Sequence, residues 1–247
     1  MATLLLVHGG WAGSWAWDQL LPELDELGVS YRAVTLPGHD SNSGALWSVS
    51  LADYSEHLAN AAMETDDRVI LVGHSSSGFV ITAAASHSPE CFDELVYLAA
   101  LVPIEGERLA SLAFGDKESK LGPGVRPNPF LGYLSLHPSV WRDALFHDCD
   151  DASERQFAKL VVKEPLRPGL TKLKLNSGFN KIPKSYVLCT NDHAMTTNYQ
   201  RWMAERSGVP IRYELQCGHM PMNSNPKELA RVLADYAHAE PNEGRSS

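Results

Sequence analysis

The sequence predicts an α/β fold, a mostly parallel sheet flanked by helices, with a helical lid inserted ahead of the fifth strand. Two observations carry this. Short apolar runs alternate with helical patterns, and each run closes on Gly, Pro, Asn or Asp, which is how a parallel sheet with crossover helices is written in sequence. From about residue 103 to 182 the alternation stops: Gly122-Pro-Gly-Val-Arg-Pro-Asn-Pro lies among several aromatics, and no convincing strand is present. A structureless loop of that length is implausible inside a compact domain, so the interval reads as a lid over the sheet's carboxyl edge.

Taken in order, the first strand is read at residues 3–7, ending at His8-Gly9-Gly10, and a helix at 14–27 ends on Gly28. The strand at 31–35 stops at Leu36-Pro37-Gly38, and a helix at 51–64 follows. A strand at 69–72 runs into Gly73 and then a helix at 76–87; the strand at 95–99 precedes the lid. Beyond the lid come a strand at 185–189, a helix at 196–207, a strand at 211–215 and a helix at 226–238, the two helices with polar residues at their starts. Residues 1–239 therefore form one domain with its lid at about 103–182, and 240–247 form a polar, frayed tail. No internal repeat is visible.

Composition narrows the function classes. Of 247 residues, 44% are hydrophobic and 21% charged, which excludes a disordered chain, a collagen-like fibre and a coiled coil. With 21 Lys+Arg against 30 Asp+Glu the formal charge is −9, and no basic run exceeds a pair, so neither nucleic acid nor an anionic membrane is expected as a partner. The apolar run from Leu4 to Val7 is too short for a signal peptide, and nothing approaches a membrane span. The four Cys (91, 149, 189 and 217) lack metal or redox spacing, which fits a reducing, cytoplasmic setting, with Cys189 and Cys217 as small buried hydrophobes. The consecutive His147-Asp148-Cys149-Asp150-Asp151 reads as a helix cap or solvated turn; no metal and no cofactor are expected. A homodimer is left open.

Directly after Val69-Ile-Leu-Val come Gly73-His74-Ser75-Ser76-Ser77-Gly78 and an apolar helix. Strand, tight turn with Ser at the apex, helix: this is the context of a nucleophile elbow, which demands small residues two places on either side, here Gly73 and Ser77. Ser75 as a helix N-cap, or a phosphate-binding turn, are the other readings, the latter without either glycine-rich phosphate spacing. A nucleophilic Ser needs a base and a group to orient it, in the chain order Ser, Asp, His, each in a loop at a strand's carboxyl end. Asp192 follows the strand at 185–189, and His219 follows that at 211–215. Singly, Asp192 is equally a turn residue and His219 a loop cap; jointly they fit a triad with Ser75. His8-Gly9-Gly10-Trp11 completes the set, with the backbone N–H groups of Gly10 and Ser76 as oxyanion donors, or else it is a plain glycine turn. His74 and His193, adjacent to the Ser and the Asp, are tempting alternative bases that sequence adjacency points away from the reacting groups.

The set His8-Gly9-Gly10 with Gly13-Ser14-Trp15-Ala16-Trp17, Leu36-Pro37-Gly38-His39, Gly73-His74-Ser75, Phe146-His147-Asp148-Cys149, Cys189-Thr190-Asn191-Asp192 with Gln200-Arg201-Trp202, and Gly218-His219-Met220-Pro221-Met222 resembles the plant methylesterase and hydroxynitrile lyase branch of the α/β-hydrolases, which also has bacterial esterases. The resemblance runs from residue 4 to about 233 and is sparse in the lid. It implies the α/β-hydrolase fold and two chemistries on one triad, ester hydrolysis and cyanohydrin cleavage. By the same resemblance, lyases carry Thr after the first His and Lys after the catalytic His; here those positions are Gly9 and Met220, the esterase pattern. The chain departs from the family at Gln216-Cys217-Gly218, where an Asp is usual, and in its lid.

The expected function is a serine carboxylesterase acting on a small, largely apolar ester, with a methyl carbamate or amide as the alternative substrate of the same mechanism. Less favoured are a hydroxynitrile lyase and a non-catalytic ligand-binding fold. Phe130, Tyr133, Leu134, Trp141 and Phe146 of the lid, with Trp11 and Phe79 near the base, are the candidate pocket wall.

Overall fold

The computed structural model describes residues 2–40 and 46–239; the tail at 240–247 lies outside them. Along the chain the strands are β1 (Ala2–Val7), β2 (Ser30–Val34), β3 (Arg68–His74), β4 (Glu94–Leu98), β5 (Val125–Asn128), β6 (Tyr133–Leu136), β7 (Glu164–Pro165), β8 (Lys184–Cys189) and β9 (Ile211–Leu215). The α-helices of the described residues are α1 (Leu21–Glu26), α2 (Leu51–Ala62), α3 (Ser77–His87), α4 (Leu109–Ala113), α5 (Asp151–Leu160), α6 (Leu166–Leu170), α7 (Thr197–Arg206), α8 (Pro221–Ser224) and α9 (Pro226–His238). None is long and apolar enough to cross a membrane.

Six strands form one sheet in the order β2-β1-β3-β4-β8-β9, with every neighbouring pair parallel. Strands buried on both faces read as continuous apolar runs because each side chain, whichever way it points, meets a helix layer. Leu4, Leu6, Ile70 and Val72 pack to one side with Leu24 of α1 and Leu233 of α9. Leu5, Val7, Val69 and Leu71 pack to the other with Leu58 of α2, Ile81 of α3 and Met203 of α7. Register aligns Val7 with Gly73 and Leu98 with His74, so β1, β3 and β4 release their chains together at one edge.

Two expectations change. The helix read at 14–27 is broken into a 3₁₀ turn at Ser14–Trp17 and α1, because Pro22 has no N–H to donate and fits only the first turn of a helix, which therefore restarts at Leu21. The lid does carry helices, but it also holds a three-stranded antiparallel sheet in the order β5-β6-β7. These strands are short, and the outer two contain Pro127 and Pro165, which a sheet tolerates at its edges; such segments look like loops in sequence.

Candidate active site

Ser75 follows β3 with a φ of +57°, a left-handed conformation that strains a residue with a Cβ. The bend is held by its neighbours: Ser75 N–H donates to the Leu98 carbonyl at 3.2 Å, and its own carbonyl accepts from Gly78 and Leu101 N–H at 3.2 and 2.9 Å. Close packing explains the small flanking residues. A Cβ on Gly73 would meet Ile81 and the Ser77 carbonyl at 2.9 Å, and one on Gly78 would collide with the Leu101 carbonyl. Ser77 does more than fit: its buried hydroxyl donates to the His8 carbonyl and so ties the turn to the end of β1.

The loops after β8 and β9 bring Asp192 and His219 to this point. His219 Nε2 lies 2.9 Å from Ser75 Oγ, and His219 Nδ1 lies 2.7 Å from Asp192 Oδ2. Asp192 Oδ1 accepts the N–H groups of Ala194 and Met195, and Oδ2 also accepts from Gln200 Nε2, so the buried carboxylate is fully occupied as an acceptor. Nδ1 of His219 must then carry the ring proton, which leaves Nε2 as an acceptor for the Ser75 hydroxyl. Gln200, fully buried on α7, also donates to the Met195 carbonyl and bonds the Cys189 backbone, clamping the loop that carries Asp192.

The alternative bases face elsewhere. His74 Nε2 is 2.8 Å from the His219 carbonyl, and burial together with neighbouring His219 pulls its pKa down to about 3, so it is a neutral donor. His193 stacks on His147 at 3.8 Å and bonds the Asp143 carbonyl. Asp148, from the same acidic stretch, accepts the Gly218 N–H, and Asp150 caps α5 by accepting from Ser153 N–H at 2.8 Å.

Gly10 and Ser76 line one cavity with Ser75 and adjoin each other: a Cβ on Gly10 would stand 3.4 Å from Ser76 Oγ. Ser76 caps the amino end of α3, where backbone N–H groups and the helix dipole favour an anion. With Ser75, His219 and Trp11 they floor a cavity of about 370 Å³, whose walls are mostly apolar and include Leu134 of the lid. Ser75 also borders a recess of only about 20 Å³, lined in part by Gly9, Ala12, His74, Leu145, Phe157 and Met220.

Five expected wall residues are elsewhere. Phe130 is 94% exposed at the tip of the β5–β6 turn, with its carbonyl accepting from Trp47 Nε1. It and Tyr133 border a different hollow of about 920 Å³. Strand alternation explains the split: Leu134 points inward, so its neighbour Tyr133 points outward, under Lys163. Trp141 and Phe146 pack against Phe157 at 5.1 and 5.3 Å and stand behind the small recess. Phe79 is fully buried in the core on the α3 side of the sheet.

Glu164 and His39 are present without having been expected. Glu164 Oε2 accepts the Trp11 N–H at 3.0 Å and lies 2.8 Å from His39 Nε2 at the cavity edge. Burial pulls the His39 pKa down, but the Glu164 charge and hydrogen bond outweigh it and raise it above its ordinary value. His8 beside it, 4.8 Å between ring centroids, is held well below its ordinary value by burial and by His39; its Nε2 accepts the Leu36 N–H. The sequence marked His39 only as part of Leu36-Pro37-Gly38-His39, and nothing local distinguishes Glu164 or the cavity residues Leu109, Phe114, Leu121 and Met195.

Known proteins agree with this architecture. The profile of the Alpha/beta hydrolase family matches residues 4–232. The chain is 29% identical to norfluorocurarine synthase 1 of Strychnos nux-vomica over 94% of each chain. It is 28% identical to polyneuridine aldehyde esterase of Rauvolfia serpentina, again over 94% of each. The crystal structure of a pyrethroid hydrolase from Sphingobium faniae JZ-2 superposes with a TM-score of 0.86 at 23% identity, covering 97% of this chain and 98% of that one, a likeness of fold.

Proposed function

The chain belongs to the alpha/beta hydrolase family, and from that membership we propose that it is a serine carboxylesterase working through Ser75, His219 and Asp192. The observation that carries the reading is the continuous hydrogen-bond path from Asp192 through His219 to Ser75 Oγ, opening on an apolar cavity. Ser75 Oγ attacks the ester carbonyl while His219 Nε2 takes its proton, and the Asp192 carboxylate stabilises the imidazolium that forms. The Gly10 and Ser76 amides hold the oxyanion. His219 returns the proton to the leaving alcohol, then deprotonates a water that releases the acid and frees Ser75. Polyneuridine aldehyde esterase, which this chain matches over 94% of each chain, is an esterase by name and supports ester chemistry.

The two spaces that Ser75 borders support a shape for the substrate. A recess of about 20 Å³ has room for a methyl-sized group, whereas the cavity of about 370 Å³ takes a sizeable apolar one. The preferred ester therefore has one minimal and one bulky apolar side. A methyl carbamate presents the same shape and the same acyl-transfer steps. Cyanohydrin cleavage is disfavoured on steric and electrostatic grounds: a Cβ on Gly9 would meet Ser75 Cβ at 2.9 Å, and Met220 beside His219 offers no cation for departing cyanide.

The test is a panel of methyl esters of bulky acids, short acyl esters, methyl carbamates and mandelonitrile, run on the wild type and Ser75→Ala. Ester hydrolysis that vanishes in the folded Ser75→Ala protein is expected. Undiminished hydrolysis in that variant, or cyanide release without esterase activity, would overturn the reading.

A further inference from the structure

Trp11, immediately after the proposed oxyanion donor Gly10, has a φ of +58°, a strained conformation for a non-glycine residue that persists only where the surroundings hold it. Three hydrogen bonds hold it, and all three come from the lid. The Trp11 N–H donates to Glu164 Oε2 at 3.0 Å, its carbonyl accepts the Val162 N–H at 2.9 Å, and its indole N–H donates to the Leu134 carbonyl at 3.2 Å. Of these partners only Glu164 is a side chain, and it does not act alone. The same oxygen meets His39 Nε2 at 2.8 Å; the His39 side chain is 1% exposed and that of Glu164 15%. The carboxylate is thus pinned from the sheet side by His39, while its own strand β7 belongs to the lid.

We propose that Glu164 is a positioning residue for the oxyanion site: by accepting the Trp11 N–H it fixes the peptide that follows Gly10, and through it the Gly10 amide. This rests on the esterase reading above. The physical case is one of direction. An oxyanion donor contributes only when its N–H already points to where negative charge develops, and small misplacements of such groups are costly. The Gly10 N–H shares a peptide with the Gly9 carbonyl, which lies 2.8 Å from His8 Nδ1, so its aim is set by that bond on one side, with the His8 carbonyl tied by the Ser77 hydroxyl, and by the Trp11 amide, tied by Glu164, on the other. His39 supplies the second bond that keeps the carboxylate from turning into the cavity. The lid is then part of the catalytic geometry as well as a roof.

Two variants of similar size separate this role from others. Glu164→Gln keeps an oxygen that can accept the Trp11 N–H, whereas Glu164→Met fills the same space without an acceptor; thermal melts check that both fold, with Glu164→Ala as the substitute should the Met variant not fold. On a methyl ester hydrolysed in a Ser75-dependent way, the Met variant is expected to lose roughly ten- to a hundredfold in kcat with KM within about twofold, and the Gln variant to stay within about threefold of the wild type. A Met variant with wild-type kcat, a loss confined to KM, or a Gln variant as impaired as the Met variant would each overturn the proposal while leaving the esterase reading intact. A wild type with no Ser75-dependent hydrolysis overturns both.

Discussion

At Ser75 the backbone is forced into the left-handed region, and the side chains around it follow from that single fact. Gly73 and Gly78 are there because Ile81, the Ser77 carbonyl and the Leu101 carbonyl leave no volume for a Cβ. Ser77, where a second glycine is usual in such turns, is accommodated because its hydroxyl has an acceptor in the His8 carbonyl. Asp192 is equally determined: four donors converge on its two oxygens. Replacing it with Asn leaves the shape but presents an NH₂ group that cannot accept the His219 Nδ1–H, favouring the wrong ring tautomer. Asp192→Asn should therefore lower kcat by roughly three to four orders of magnitude with little change in KM. Steady-state kinetics on a variant with an unchanged circular dichroism spectrum checks this; a loss under tenfold would show that His219 does not depend on Asp192 for its proton. The three side chains of the proposed triad were legible in sequence because each follows a strand whose end is set by neighbouring residues.

Among the elements, those with strong local signals formed as read and those without them did not. Helix α2 begins at a capping box in which the Ser50 hydroxyl accepts the Asp53 N–H and the Asp53 side chain accepts the Ser50 N–H. Loss of such a cap costs about 1 kcal/mol, so Ser50→Ala should lower Tm by about 2–4 °C and leave esterase kinetics unchanged, since α2 does not line the cavity. Differential scanning calorimetry reads the first and the hydrolysis assay the second. In the lid the local signals fail. β5 and β7 carry Pro127 and Pro165 at sheet edges, and β7 is paired to β6 by only two residues, so their strand character exists only through the pairing. The alternation that this sheet imposes is what turned Leu134 toward the cavity and Tyr133 away from it.

For the molecule as a whole, buried histidines couple stability to pH in opposite directions. His8 and His74 are neutral in the fold, with pKa values held below the ordinary 6.5, so as pH falls below that value the unfolded chain takes up protons that the native state does not, and stability declines. His39, faced by Glu164, His8 and Tyr54, is shifted the other way. Its pairing with Glu164 contributes fully below 6.5 and is lost as pH rises through the raised native value. Urea midpoints measured from about pH 5 to 9 should fall on both flanks, and Glu164→Gln, which leaves burial to pull the His39 pKa down, should flatten the alkaline flank and steepen the acid one. An unchanged alkaline flank in that variant would assign it to another group.

The order of strands, the chemistry at Ser75, Asp192 and His219, and the glycines beside them were written in short stretches, since a strand end or a tight turn is governed by the residues within a few positions of it. The shape of the cavity was not. Leu134, Glu164 and the residues behind the small recess owe their places to the lid folding back on the sheet, and Trp11 meets Glu164 across 153 positions of chain. No local propensity encodes such a meeting, because neither residue's preferences change until the other arrives. Local sequence therefore places Ser75, Asp192 and His219 at the strand ends, and the packing of lid on sheet shapes the cavity they open on and holds the turn at Trp11.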